Sequence, residues 1–279
     1  MFDLILHAIP VFVLCLAVEA ASFYFLPADD ERGYETRDAV TSISMGLGNV
    51  AVNAGWKLVV LATYAAFYLV APVHLSSHSV WTWVLLFVAD DIAFYWYHRL
   101  HHVVRLFWAS HVVHHSSEFY NLSTAVRQPW TPMTSLPFWI PLALLGIPPW
   151  MILFQQSASL LYQFFLHTER VGKLWRPIEL VMNTPSHHRV HHGAQQQYLD
   201  RNYGGVLIVW DRLFRTFEPE DERVKYGLTK NLHSYNLLRV AFGEYRDILR
   251  DVRRAVSWRD RLGYTFRGPG WQPAGESSE

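Results

Sequence analysis

Ten of the chain's fifteen histidines fall in two short windows, six within 98–115 and four within 187–192, a clustering that background composition does not produce. They make three boxes: His98-Arg-Leu-His101-His102, His111-Val-Val-His114-His115 and His187-His188-Arg-Val-His191-His192. On a helix, positions i, i+3 and i+4 share a face, so each HxxHH unit can aim three imidazoles at one point. A zinc site takes about four ligands in all, and a catalytic one about three from the protein. The nine nitrogens of three such units exceed that need. They fit two metal ions of about four or five protein ligands each, with positions left for oxygen or water. Imidazole serves Zn, Cu, Fe and Ni alike, so the ligand type does not name the metal. A zinc-dependent membrane hydrolase is the alternative from another class, disfavoured by the excess of histidines and by the missing HExxH motif. A metal carrier would spread its ligands along a pathway instead of gathering them on one face. Cys15, the only cysteine, excludes a thiolate zinc site, an iron–sulfur cluster held by this chain alone and an intrachain disulfide framework.

Other residues qualify as ligands or supports. His101 adjoins an i/i+4 pair, His98 and His102, that already suffices, and His187 adjoins a complete HxxHH in His188, His191 and His192, so each stands open between ligand and supporting role. His167, in Phe165-Leu-His-Thr-Glu169, ends an apolar span on the side of the boxes and is a candidate additional ligand. His7, His74, His78 and His233 read as background. Carboxylates that accept the second imidazole N–H orient metal-binding histidines. Asp90, Asp91, Glu118, Glu169, Asp200 and Asp211 are the candidates, with Asn121 as a polar neighbour. Asp91 is singled out because it precedes His98 by two helical turns inside an apolar run.

These side chains need elements to hold them. The 279 residues are 51% apolar and only 17% charged, which excludes a disordered chain and leaves room for one large domain. Residues 4–26 are long enough to cross a hydrocarbon core of roughly 30 Å, with Pro10 and Glu19 as blemishes. Without a basic leader they read as a membrane helix and not a cleaved signal. A polar, acidic loop is expected at 27–42, a second apolar stretch within about 50–72, and a third at 80–97. Apolar segments at 133–145 and 148–166 flank Gly146-Ile-Pro-Pro149 and suggest a re-entrant or tilted hairpin that returns the third box beside the first two. Gly46-Leu-Gly48-Asn-Val-Ala51 fits G-x-G-x-x-A but follows no strand, so it reads as small-residue helix packing. Residues 235–256 set Leu238, Phe242, Tyr245, Leu249 and Val252 at helical spacing beside five arginines, as in a helix on a membrane surface or one capping a cytosolic domain.

The organisation expected is membrane helices over 1–97, a histidine-box region over 98–232 with the membrane hairpin at 133–166, a cytoplasmic amphipathic segment at 233–267 and a frayed tail at 268–279. Twenty-four Lys+Arg balance 24 Asp+Glu, and no nucleic-acid partner is expected. The balance hides two halves, since residues 1–97 hold three bases against nine acids and 98–279 hold 21 against 15. The positive-inside rule then puts the N-terminus outside and the boxes on the cytoplasmic face.

The three boxes resemble those of the fatty acid hydroxylase/sterol desaturase superfamily of integral-membrane, non-haem di-iron enzymes, over roughly residues 80–220. Within it, Tyr97-His-Arg99, Phe107-Trp-Ala-Ser-His111-Val-Val-His-His-Ser-Ser-Glu118, Asn183-Thr-Pro-Ser-His-His-Arg-Val-His-His-Gly193 and Trp210-Asp-Arg-Leu-Phe-Arg-Thr-Phe-Glu218 look most like the alkylglycerol monooxygenase branch. His101-His102-Val103 departs from that branch, whose first box ends in His-Glu. The resemblance implies an all-α, multi-pass transmembrane bundle with a cytoplasmic helical cap around a histidine-rich di-metal site. It implies two iron ions held by His98, His102, His111, His114, His115 and the 187–192 cluster. The implied reaction is O2-dependent hydroxylation of a lipid such as a fatty acyl, alkyl-glycerol or sterol compound, or desaturation on the same ligand set. The implied electron donor is external, a redox protein or a pterin. The implied location is the inner membrane of a bacterium or the endoplasmic reticulum of a eukaryote.

Overall fold

A computed structural model describes residues 4–28 and 31–273. Among them there is no strand, only two isolated bridges, Met182 with Leu207 and Gly193 with Tyr226. Helix α1, Leu4–Phe25, spans about 33 Å at 1.5 Å per residue, enough for a hydrocarbon core. Helix α2, Thr36–Leu69, is longer still. These two are long and apolar enough to cross a membrane, and their flanks, including Leu14, Val18, Leu47 and Leu58, face outward from the protein. The expected loop at 27–42 is shorter than its composition suggests, because the Glu35 carboxylate accepts the Asp38 amide at 2.7 Å and caps α2 at once.

Helix α3, Val80–Val103, takes in the third apolar stretch and continues through the first box. Helix α4, Arg105–His115, carries the second box. The short α5, Leu122–Ala125, is closed by an Asn121 capping box. The apolar segment 133–145 is not one continuous helix. Pro132, Pro137 and Pro141 each lack a donor, and the chain breaks into 3-10 turns at Pro132–Thr134 and Leu136–Phe138 and the five-residue α6, Ile140–Leu144. Gly146, at φ 83°, turns the chain into α7, Pro149–Phe164. Three short helices follow: α8, Arg176–Val181; α9, Pro185–His191, with the third box; and α10, Val209–Phe214. The amphipathic segment forms α11, Leu237–Arg254, which packs on α4 and α12, Trp258–Phe266. Of the segment expected as a frayed tail, residues 268–273 carry Trp271 stacked edge-on to Tyr264 at 5.3 Å, and 274–279 lie outside the described residues.

Polar ties fix the long helices around the boxes. Buried Asp38 of α2 pairs with buried Arg127 at 3.1 Å and accepts the Ser117 hydroxyl. Glu19 is no blemish. Its Oε2 accepts the Tyr34 hydroxyl and the Leu122 amide and its Oε1 the Thr168 hydroxyl, fastening α1 next to His167. Gly46 and Gly48 do serve close packing, as their lack of a Cβ admits the Val126 carbonyl and the Trp130 ring against α2.

Candidate metal centre

Helical spacing sorts the histidines into two groups. His98 and His102 of α3, His111 and His115 of α4 and His191 of α9 form one. His114 of α4, His167 just past α7, and His188 and His192 form the other. Within each group the ligand atoms lie within 4.8 Å of one another, and all nine residues are buried. The imidazoles of a box therefore do not converge on a single point. The second box sends its i/i+4 pair to the first group and its i+3 member to the second, and the third box does the reverse. The groups abut through His115 and His192, whose rings stack at 4.3 Å.

The nitrogens face one another. Nε2 of His111 lies 2.9 Å from that of His98 and 3.1 Å from that of His115, which lies 3.1 Å from that of His191. In the second group, Nε2 of His167 is 3.1 Å from that of His114 and 3.0 Å from that of His188. Two nitrogens bound to one ion at about 2.1 Å and about 90° apart would stand about 3.0 Å from each other. Three outer nitrogens show which lone pairs are free: Nδ1 of His98 donates to the Tyr203 carbonyl at 2.8 Å, that of His191 to Arg201 at 2.9 Å and that of His167 to Gln163 at 2.8 Å. With the proton on Nδ1, Nε2 is left as a bare donor to a metal. Nε2 of His102 and of His192 is buried with no hydrogen-bond partner at all. Desolvation pushes His111, His115, His188 and His192 well below the usual imidazole range, His114 to about 4 and His191 to about 3, so these rings are neutral at pH 7. An all-nitrogen, neutral, buried donor set of this spacing fits two metal ions.

Two candidates lie outside the groups. His101 is saturated, with Nδ1 on the Tyr97 carbonyl at 2.7 Å and Nε2 accepting from Thr134 at 2.9 Å. His187 turns Nε2 to Glu179 at 2.9 Å. Nine histidines make up the two groups, His167 among them and His101 and His187 not.

The carboxylates act one step further out than expected. Asp91 accepts the Val206 and Leu207 amides and the Trp210 indole, and Asp211 accepts the Tyr203 and Gly204 amides. Together they hold the turn whose Tyr203 carbonyl orients His98. Asp90 accepts the Trp139 indole. Glu169 binds Arg223, Tyr226 and the Arg32 amide, and Asn121 caps α5 and donates to the Gly33 carbonyl. The Glu118 side chain packs beside Gly227 and Asp200 stands 3.8 Å from Nδ1 of His102, beyond hydrogen-bonding distance. The acceptors of the cluster imidazoles His98, His191 and His167 are backbone carbonyls, which no residue type announces. Asn202 is a further support, bonding the His187 carbonyl and both backbone groups of Glu218.

Among the described residues, an all-helical scaffold brings together two adjoining all-histidine clusters that form a buried candidate metal site. The family model of the fatty acid hydroxylases matches residues 83–216, the segment that holds all nine histidines. The chain is similar to alkylglycerol monooxygenases, 39% identical to the Homo sapiens protein over 97% of this chain and 60% of that one, and 43% identical to the Danio rerio protein over 85% and 53%. An ornithine lipid hydroxylase of Rhizobium tropici is 30% identical over 52% of this chain and 45% of its own. The chain thus spans about half to three-fifths of the length of these curated relatives. No solved structure matches it.

Proposed function

We propose that this chain is an integral-membrane di-iron oxygenase that hydroxylates a C–H bond of a lipid. The observation that carries the reading is the pair of abutting, buried, all-imidazole clusters of five and four residues, with their Nε2 atoms turned toward one another. The names of the similar proteins, a monooxygenase of alkylglycerols and a hydroxylase of ornithine lipids, supply the lipid class. When bound, the two irons supply O2 activation and one-electron chemistry at a C–H bond, with electrons from an external redox protein or a pterin.

The chain's own part is to hold and exclude. His98, His102, His111, His115 and His191 hold one ion, and His114, His167, His188 and His192 hold the other. Tyr203, Arg201 and Gln163 fix imidazole tautomers through their carbonyls, while Asp91 and Asp211 fix the turn that carries Tyr203. His101 and His187 are struts, and Asn121, Glu118, Glu169 and Asp200 support the surrounding loops. The apolar cluster around Trp139, Leu142 and Phe94, which Tyr97 joins, borders the first box and keeps water from the reacting carbon of a lipid chain. Residues 1–97 and the 133–166 hairpin anchor the bundle in several passes. The N-terminus then lies outside and the boxes lie in a cytoplasmic cap that continues through 233–267, in a bacterial inner membrane or a eukaryotic endoplasmic reticulum.

Supplying 18O2 to membranes containing the chain tests the reaction. The expected product is a lipid alcohol carrying 18O that forms only when iron is present. A double bond without 18O would assign desaturation instead, and turnover under anaerobic conditions would overturn the oxygenase reading.

A further inference from the structure

Helix α11 has two apolar faces: one is buried, and on the other Phe242 lies against Trp130 and Tyr245 reaches Thr131 while the remaining side chains stay more open. Val240, Ala241 and Ile248 are buried, the first two in a cluster with Met45 of α2 and Val113 of α4. At about 100° per residue, Leu238, Phe242, Leu249 and Val252 fall on a second stripe. Leu238 is 64% exposed and Leu249 55%. Arg239, Arg246, Arg250 and Arg253 line the edge of that stripe. Helix α12 repeats the design with Trp258, Leu262 and Phe266 at i, i+4 and i+8, all exposed, and Val256 in the connection is 98% exposed. Neither helix reads as a span, since α11 carries five arginines and α12 has nine residues.

The place of the α11–α12 pair along α2 selects the occupant. Its contact at Met45 lies about 14 Å, at 1.5 Å per residue, from the Thr36 start of the 34-residue α2. That is the level of the boundary between head groups and acyl chains if α2 crosses the bilayer. An apolar stripe edged with arginines at that level matches anionic lipid in both charge and depth. The α11–α12 pair is also fastened to α4, which carries the second box. Arg105, the first residue of α4, donates to Glu244 at 2.7 Å and to Asp251 at 2.8 Å on α11, and its amide donates to the Arg267 carbonyl at the end of α12.

We propose that α11 and α12 form a docking face for an anionic lipid surface and, through Arg105, hold α4 and its histidines at head-group depth. The proposal rests on the membrane reading given above. It makes lipid composition a determinant of how the site meets a lipid whose head group stays at the interface.

The test uses the full chain in vesicles of phosphatidylcholine with or without phosphatidylglycerol. Cys15→Ser provides the background, and an environment-sensitive fluorophore is placed on a cysteine introduced by Leu249→Cys, Leu262→Cys or Leu14→Cys. Labels at 249 and 262 are expected to be blue-shifted and protected from aqueous iodide, several-fold more so with phosphatidylglycerol. The added Arg239→Gln/Arg253→Gln pair should remove that dependence. Full iodide quenching at 249 and 262 in both lipids, with 14 protected, would overturn the docking face alone. Quenching at 14 as well would overturn the membrane reading beneath it. Protection that disappears as protein is diluted in lipid would assign the face to a second copy of the chain and overturn the proposal.

Discussion

Replacing His167 with Ala separates the two clusters. His167 is the second cluster's only member from outside the boxes, and its Nε2 stands between those of His114 and His188, at 3.1 and 3.0 Å. Structural zinc sites of about four ligands bind with roughly 10–16 kcal/mol, or about 3 kcal/mol per ligand. Losing one of four should therefore weaken the second ion by about 100-fold or more, since about 1.4 kcal/mol is a factor of ten. The five nitrogens of the first cluster are untouched by the change. Elemental analysis of the purified variant, washed with a mild chelator, should give close to one iron per chain against two for the parent. His101→Ala, treated identically, should keep two, because both nitrogens of His101 are occupied by Tyr97 and Thr134. Limited proteolysis shows whether each variant has kept its fold. Two retained ions in a folded His167→Ala protein would refute the assignment, as would equal losses in His101→Ala.

Further outcomes follow from the supports. Asp91→Ala removes the acceptor of two amides and an indole and frees the turn behind His98, so iron affinity should fall by about tenfold to 100-fold in chelator competition. Glu19→Ala leaves the buried Leu122 amide and its hydroxyl partners without an acceptor, and thermal unfolding in detergent should show a loss of about 2–4 kcal/mol. Gly48→Ala drives a Cβ into the Trp130 indole nitrogen, which itself donates to the Met45 carbonyl, so about 1–3 kcal/mol should be lost and the Trp130 emission should shift.

The boxes themselves were plain in the sequence, as were the helices beneath them, because apolar runs and the i, i+3, i+4 spacing are local. The partition of each box was not. Periodicity states which imidazoles share a face, but the partner of that face comes from elsewhere, as when His167 is brought against His114 by the return through α7. His101 fits the pattern perfectly and is lost to a hydroxyl 33 residues away. The expected carboxylate acceptors gave way to carbonyls of Tyr203, Arg201 and Gln163, and every residue has a carbonyl. The turn that presents two of them passes through left-handed conformations at Asp200 and Asn202, φ 58° and 57°, which Asp and Asn tolerate best among residues with a side chain.

A di-iron oxygenase on this scaffold requires two irons side by side, one in each histidine cluster. Anomalous diffraction from crystals of the iron-loaded chain, measured on both sides of the iron absorption edge, tests it most directly. Two peaks are predicted, one among His98, His102, His111, His115 and His191 and the other among His114, His167, His188 and His192. A single peak, or a signal belonging to zinc at both places, would contradict it.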